Sequence, residues 1–248
     1  MINLFENLNR KIRGEVKEDL LHRILYSTDA SAYREIPLAV AYPRDTEDVQ
    51  AIVRFAQEKH INLIPRAGGT SLAGQVVGSG LIVDVSRYMD KILEINHSER
   101  WIRVQPGIIL DELNRYCMPY ELFFGPETST SNRCCLGGMV GNNSCGSHSL
   151  IYGSTREHLL EAKVVLSDGS MSVLKEMTPE EVDNKCQGTS LESRIYRHLI
   201  TLLSNDDNRR EIIKNYPDNS LKRRNTGFAI DELLHTSYFD RNSSMPFN

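Results

Sequence analysis

Apolar positions along this chain recur with two periods. In YPRDTEDVQAIVRFAQEKH, residues 42–60, Val49, Ile52, Val53 and Ala56 share one face at helical spacing, which predicts an amphipathic helix. Pro43 precedes it, Thr46 or Asp45 can cap it, and acidic residues occupy its first turn, where they complement the helix dipole. Val16, Leu20, Ile24 and Leu25 stand at the same spacing and predict a leading helix over 15–25. The runs INLIP (61–65) and LIVDV (81–85) are too short for helices and read as buried strands. The strand–helix–strand–loop–strand order predicts a small α/β layer.

After residue 96 the texture changes. RWIRVQPG (100–107) alternates like a strand ending in a turn, and ILDELNRYC (109–117) predicts a helix. AKVVLSDGSMSVL (162–174) predicts a hairpin with Asp168-Gly169 as the central pair of a tight turn. TPEEV (178–182) is a helix start, with Thr178 as cap, Pro179 in first position and Glu181 closing a capping box. Helical patterns continue through 191–215, and the polar stretch 216–227, with Lys222, Arg223 and Arg224, reads as a solvated loop.

Two glycine clusters interrupt the pattern. IPRAGGTSLAGQ (64–75) places glycines directly after an apolar run. Glycines there allow positive φ and close approach, so successive amides can converge on an anion. Gly69 and Gly74 have the separation of a nucleotide P-loop, but Gln75 and Val76 stand where that motif needs Lys and Ser/Thr. No helix period follows to support a Rossmann fingerprint either. The segment is expected to be a loop between two strands that binds phosphate through its own amides. GPETSTSNRCCLGGMVGNNSCGSHSLIYGSTRE (125–157) carries Gly137, Gly138, Gly141, Gly146 and Gly153 without hydrophobic periodicity, and predicts a long functional loop. Two such clusters suggest one large ligand gripped at several points, a dinucleotide better than a mononucleotide.

Composition narrows the classes. The chain has 248 residues, 40% hydrophobic and 25% charged, with net charge −4, which argues against nucleic acid as the main partner. No apolar run approaches the ~20 residues of a membrane span, and the N-terminus lacks a signal-peptide core, so a cytoplasmic location is expected. Cys117, Cys134, Cys135, Cys145 and Cys186 make a poor disulfide framework. Cys134, Cys135, Cys145 and His148 invite a zinc site, but no C-x-x-C pair is present. Buried small hydrophobes are the expected role, with no metal.

YSTDASAYREIPLAVAYPRDTEDVQAIVRFA (26–56), IPRAGGTSLAGQ, LIVDVSRYMDKILEIN (81–96), GPETSTSNRCCLGGMVGNNSCGSHSLIYG and VVLSDG (164–169) occur together and in order. With them the chain resembles the vanillyl-alcohol oxidase / p-cresol methylhydroxylase family of flavoproteins. The nearest resemblance is to its branch of glycolate oxidase flavin subunits, D-lactate dehydrogenases and D-2-hydroxyglutarate dehydrogenases. The resemblance implies an α+β, two-subdomain FAD-binding fold of the p-cresol methylhydroxylase type, stopping short of its C-terminal end. Its implied parts are a helical lead-in (1–35), a first subdomain (36–96) and an incomplete second (97–248).

The resemblance further implies FAD, expected to be non-covalent because no residue here is an obvious attachment site. Arg66, Ala67, Gly68, Gly69, Thr70 and Ser71 would wrap the diphosphate, with Gly74 and Gln75 closing the loop. Pro126, Glu127, Thr128 and Ser129 would lie near the flavin ring, and Gly137, Gly138, Asn143, Ser144 and Gly146 would contact the flavin and its ribityl chain. Cys145 departs from the small residue that relatives often carry, and His148 is expected to be structural. The implied activity is oxidation of a small 2-hydroxy acid by hydride transfer to the flavin. A cap domain absent from this chain would supply the catalytic base and the substrate contacts. An iron–sulfur domain or quinone could accept electrons, with the enzyme peripheral to the inner membrane through such partners. Other expectations stay open: a cell-wall precursor reductase, a phenol or sugar oxidase, or a non-catalytic nucleotide-binding module.

Overall fold

A computed structural model describes residues 4–218, 220, 221, 224 and 227–248. The chain divides into two compact units, Met1–His158 and Leu159–Asn248.

The first unit is built on a four-stranded sheet of β1 (Glu15–Lys17), β2 (Ala39–Tyr42), β3 (Leu63–Arg66) and β4 (Leu81–Asp84), in the order β1-β2-β4-β3. β2, β4 and β3 run parallel, and β1 pairs antiparallel with β2 at one edge. The two central strands are buried along their whole length, as parallel strands covered on both faces must be. Side chains alternate between the faces. Ala39, Ala41, Leu81 and Val83 pack on Ile52 and Phe55 of α3 (Thr46–Lys59) and on Phe5 and Leu8 beside and within α1 (Glu6–Lys11). On the other face Val40, Tyr42 and Ile82 meet Tyr26, Ile64 and Tyr88. Asp45, not Thr46, caps α3 by accepting from the Asp48 amide at 2.9 Å. Asp48 is itself buried, and its carboxylate accepts from the amides of Arg13, Gly14 and Arg44.

The leading helix expected over 15–25 is replaced by β1 and the short α2 (Leu20–Leu25), capped by Asp19. Val16 is drawn into register with Ala41, so sheet pairing overrides the helical spacing. α2 buries none of its side chains; Leu20 and Leu25 are both 61% exposed.

A second apolar cluster lies within the same unit. β5 (Ile92–Asn96) and β6 (Trp101–Val104) form an antiparallel pair. They pack with α4 (Leu110–Cys117) and α5 (Leu136–Asn142) around Ile108, Leu110, Leu113, Cys134, Leu136 and Met139. α6 (Ser149–Tyr152) follows. The stretch 125–157, expected to lack regular structure, therefore contains two helices, and Gly137, Gly138 and Gly141 lie inside α5. Leu136 and Met139 supply the buried spacing that holds this glycine-rich helix in place.

The second unit opens with β7 (Glu161–Val165) and β8 (Met171–Lys175). Their connection is the three-residue Ser167-Asp168-Gly169 loop. Gly169 has φ 77°, and the Leu166 amide bonds Ser170 O at 2.8 Å. This is the bulged three-residue turn, not the expected two-residue one. α7 (Pro179–Gln187) begins with the full Thr178–Glu181 capping box, and α8 (Leu191–Ser204), α9 (Asp206–Asn215) and α10 (Ile230–Leu234) follow. Arg224, expected in a solvated loop, is a correction: its side chain is 8% exposed and pairs with Asp231 at 2.6 Å and with Glu232. A buried guanidinium is tolerated because those carboxylates face it. Lys222 and Arg223 lie outside the described residues.

Candidate cofactor site

The first glycine cluster leaves the carboxyl end of β3, where Arg66 stands in register with Asp84 at the end of β4. That is the edge of a parallel sheet where ligands are received. Gly69 (φ 62°) and Gly74 (φ 71°) turn the loop through the left-handed region, which only glycine enters without strain. Ser71 Oγ donates to Gln75 Oε1 at 2.6 Å and receives the Ala73 amide at 3.2 Å, closing the loop on itself. No acceptor among the described residues engages the amides of Gly69, Thr70 or Ser71. A run of consecutive donors without protein acceptors is what an anion site requires.

Arg66 lies behind this loop. Its Nη1 donates to Thr28 O at 2.8 Å, and its guanidinium stacks over Tyr26 at 5.0 Å. Tyr26 Oη donates to Asp84 Oδ2 at 2.5 Å. Burial, with the Asp84 carboxylate beside it, pushes the Tyr26 phenol far above its ordinary range, so it remains a neutral donor.

The second cluster meets the first directly. Gln75 Nε2 donates to Asn142 Oδ1 at 3.0 Å. A β-carbon at Gly68 would come within 2.4 Å of Arg133 O, so only glycine lets these segments touch. Gly137 is needed for the same reason, against Pro106 at 2.6 Å. Gly138 and Gly141 differ. A β-carbon at Gly138 would make only an ordinary 3.6 Å contact with Ala67, and at Gly141 it would meet nothing within 4 Å. Both are exposed. Glycine inside a helix costs about 0.5–1 kcal/mol against alanine, and no packing among the described residues accounts for it at these two positions. They leave a bare strip on α5 beside the 66–75 loop.

α5 ends on Asn143, which adopts φ 44°, with the Asn143 amide on Val140 O and the Ser144 amide on Met139 O, a Schellman ending. Asn143 Oδ1 accepts from Ser154 Oγ at 2.9 Å and from the Arg156 amide at 2.8 Å, while Ser144 O accepts from Thr155. Asn143 and Ser144 thus anchor the turn that follows the helix. Cys135, immediately before α5, is buried, and its thiol is pushed up to about 11 by burial and by neighbouring Cys134.

The 126–129 segment forms a neighbouring group. Pro126 is buried. Glu127 accepts from Ser147 Oγ at 2.8 Å and pairs with His148 Nδ1 at 3.2 Å. Gly146 packs on Glu127 O so closely that a β-carbon would sit 1.9 Å from it. Thr128 Oγ1 contacts Thr130 Oγ1 at 3.1 Å and Cys134 Sγ at 3.3 Å, and Ser129 is exposed. The structure thus joins 66–75 to 137–142, and 126–128 to 146–148. The sequence gives no pointer to Tyr26, Thr28 or Asp84 as neighbours of this loop; Asp84 stands out only as a lone carboxylate in the apolar run LIVDV. Among the described residues no group of three or more His, Cys, Asp or Glu could hold a metal ion, and no helix is long and apolar enough to cross a membrane.

Unpaired amides at the carboxyl end of a parallel sheet, beside a bare helix strip, suit a phosphate-bearing cofactor. The fold is that of the p-cresol methylhydroxylase type of FAD-binding oxidases. A 4-ethylphenol oxidase from Gulosibacter chungangensis superposes with TM-score 0.60 at 22% identity, over 70% of this chain and 35% of its own. The chain matches the FAD binding domain family over residues 37–175, and it belongs to that family. D-2-hydroxyglutarate dehydrogenase of Pantoea ananatis is 39% identical over 224 residues, 89% of this chain and 22% of the relative. The enzyme of that name from Escherichia coli K12 is 39% identical over 95% of this chain and 23% of its own length. The chain therefore spans less than a quarter of the length of these two relatives.

Proposed function

We propose that this chain is the FAD-holding part of an enzyme that oxidises a small 2-hydroxy acid, of the D-lactate, glycolate or D-2-hydroxyglutarate type, to the 2-oxo acid. The observation that carries this reading is the 39% identity to D-2-hydroxyglutarate dehydrogenase across 89% of the chain. Bound FAD would supply a hydride acceptor for the substrate's α-carbon.

The chain's own residues hold and orient it. The amides of Gly69, Thr70 and Ser71 receive the diphosphate, with Ala67, Gly68, Gly74 and Gln75 shaping their loop. Gly137, Gly138, Asn143, Ser144 and Gly146 admit the flavin end, and Pro126, Glu127, Thr128 and Ser129 border it. Binding is non-covalent in this reading; His148 has its Nδ1 engaged with Glu127. The base that takes the substrate hydroxyl proton and the groups that hold the substrate carboxylate come from a separate cap region. Electrons pass on to an iron–sulfur centre or a quinone. The enzyme works in the cytoplasm, at the inner membrane where its acceptor requires it.

The test is reduction of a dye acceptor by the FAD-loaded whole enzyme, given D- and L-2-hydroxy acids, phenols and sugars. Turnover confined to 2-hydroxy acids supports the reading. A yellow enzyme reduced only by phenols or sugars overturns it.

A further inference from the structure

Arg66 begins the anion loop, yet its guanidinium is turned back into the protein. Nη1 donates to Thr28 O at 2.8 Å and reaches Val76 O at 3.5 Å. The group stacks on Tyr26 at 5.0 Å. A β-carbon on Gly69 would lie 2.5 Å from Nη2, so the guanidinium also lies under the loop's positive-φ residue. One side chain therefore touches the beginning of the loop, its far end at Val76 and the separate segment at Thr28. That segment is closed on itself, with Thr28 bridged to Arg34 and the Glu35 amide on Ser27 O at 2.9 Å, and its Tyr33 ring lies against Gly74.

Tyr26 is fixed in turn. Its hydroxyl is on Asp84, a residue 4% exposed whose other oxygen accepts the Ser86 amide at 2.7 Å and the Ser86 hydroxyl at 2.6 Å. Its ring packs edge-on to Tyr42 at 5.8 Å.

We propose that Arg66 is a positioning residue that clamps the anion loop from behind, together with Tyr26, Thr28 and Val76, and is not itself a phosphate ligand. The proposal rests on the reading that this loop receives the cofactor's diphosphate. A guanidinium can bond carbonyls in its plane while its face stacks on an aromatic ring, an arrangement that an ammonium cannot reproduce. Amides fixed before the anion arrives spare the complex the cost of ordering them on binding. Both of its hydrogen bonds among the described residues, made by Nη1, go to carbonyls of the chain itself.

The test uses the protein with Arg66→Met, Arg66→Lys and Tyr26→Phe, measuring amide hydrogen exchange over 69–77 without ligand. Titrations with ADP and with riboflavin at several salt concentrations accompany it. Both Arg66 variants are expected to exchange faster in the loop and to bind ADP at least tenfold more weakly. Riboflavin affinity and the salt dependence of ADP binding should stay at wild-type values. Tyr26→Phe, which keeps the ring, should shift exchange and ADP affinity the same way by two- to threefold. Unchanged loop exchange, or a reduced salt dependence in Arg66→Met, would overturn the clamp in favour of direct contact or no role. Equal losses of ADP and riboflavin binding would overturn it as general destabilisation. Wild-type protein that binds neither ADP nor FAD, with a loop protected from exchange, would instead refute the diphosphate reading on which the clamp rests.

Discussion

Gly138 of α5 faces Ala67 of the anion loop across a gap that a methyl group would fill, with the added β-carbon 3.6 Å from that of Ala67. No described residue forbids a side chain there, and a helix prefers one. Gly138→Ala should therefore raise the thermal stability of the ligand-free protein, by up to about 1 kcal/mol. It should also weaken FAD binding, because the added methyl occupies the strip assigned to the cofactor. The larger Gly138→Val should disturb the flavin end further, seen as changed flavin fluorescence. Denaturation without ligand and an FAD titration check the two effects separately. A stabilised variant with wild-type affinity and fluorescence would remove α5 from the site.

Gln75 and Asn142 tie the loop to the end of the same helix at 3.0 Å. A net hydrogen bond contributes about 0.5–1.5 kcal/mol. Gln75→Ala and Asn142→Ala should each lower FAD affinity by roughly three- to tenfold on that scale. Gln75→Ala also removes the Ser71 bond and should lose more than Asn142→Ala, and adding Asn142→Ala to it should cost little further, since the bond between the two is already gone. Additive losses would mean that each side chain contacts the cofactor independently.

The parts legible in the sequence were those whose signals are local. The α3 stripe, the Thr178–Glu181 capping box and the apolar runs at β3 and β4 each state their element within a few residues. β1 was not legible, because Val16 becomes strand only through pairing with Ala41, a contact remote in sequence. α5 was hidden by its own glycines: Leu136 and Met139 are its buried residues, and three of its seven positions are glycine. The loop glycines mark a turn of positive φ, but the direction of the Arg66 side chain depends on Thr28 and Tyr26, which no spacing rule links to it. Arg224 was misread for a similar reason. A basic residue in a polar stretch gives no sign that Asp231 will fold over it.

Glu157 gives the first unit a response to acid. Burial opposes its charge, but the Ser154 hydroxyl at 2.7 Å and amide at 2.5 Å, with Arg156 nearby, hold its carboxyl below the usual range. A carboxyl with a lowered folded-state value contributes stability that is present above its unfolded value, about 4.3, and is lost as pH falls through the folded one. Glu157→Gln should therefore flatten the fall in stability between about pH 5 and pH 3. Urea midpoints of both proteins across that range provide the check; parallel curves would show that this carboxylate adds no acid sensitivity.

Gly69 is a position where a single β-carbon should disturb the loop directly. Its φ of 62° lies in the left-handed region, and a β-branched residue is a genuine outlier there. The added carbon would also lie 2.5 Å from Arg66 Nη2, so the guanidinium could not keep its place beneath the loop. Gly69→Val should consequently turn the amides of Gly69, Thr70 and Ser71 away from a common focus. Each hydrogen bond to a charged oxygen contributes about 1.5–3 kcal/mol, so the loss of two weakens FAD binding by roughly a hundredfold or more. The sheet beneath need not follow, since Leu63–Arg66 remains paired with β4. Circular dichroism should stay close to wild type while an FAD titration shows the loss, and Gly69→Ala should fall between the two. Full FAD affinity in Gly69→Val would mean that the loop does not receive the diphosphate.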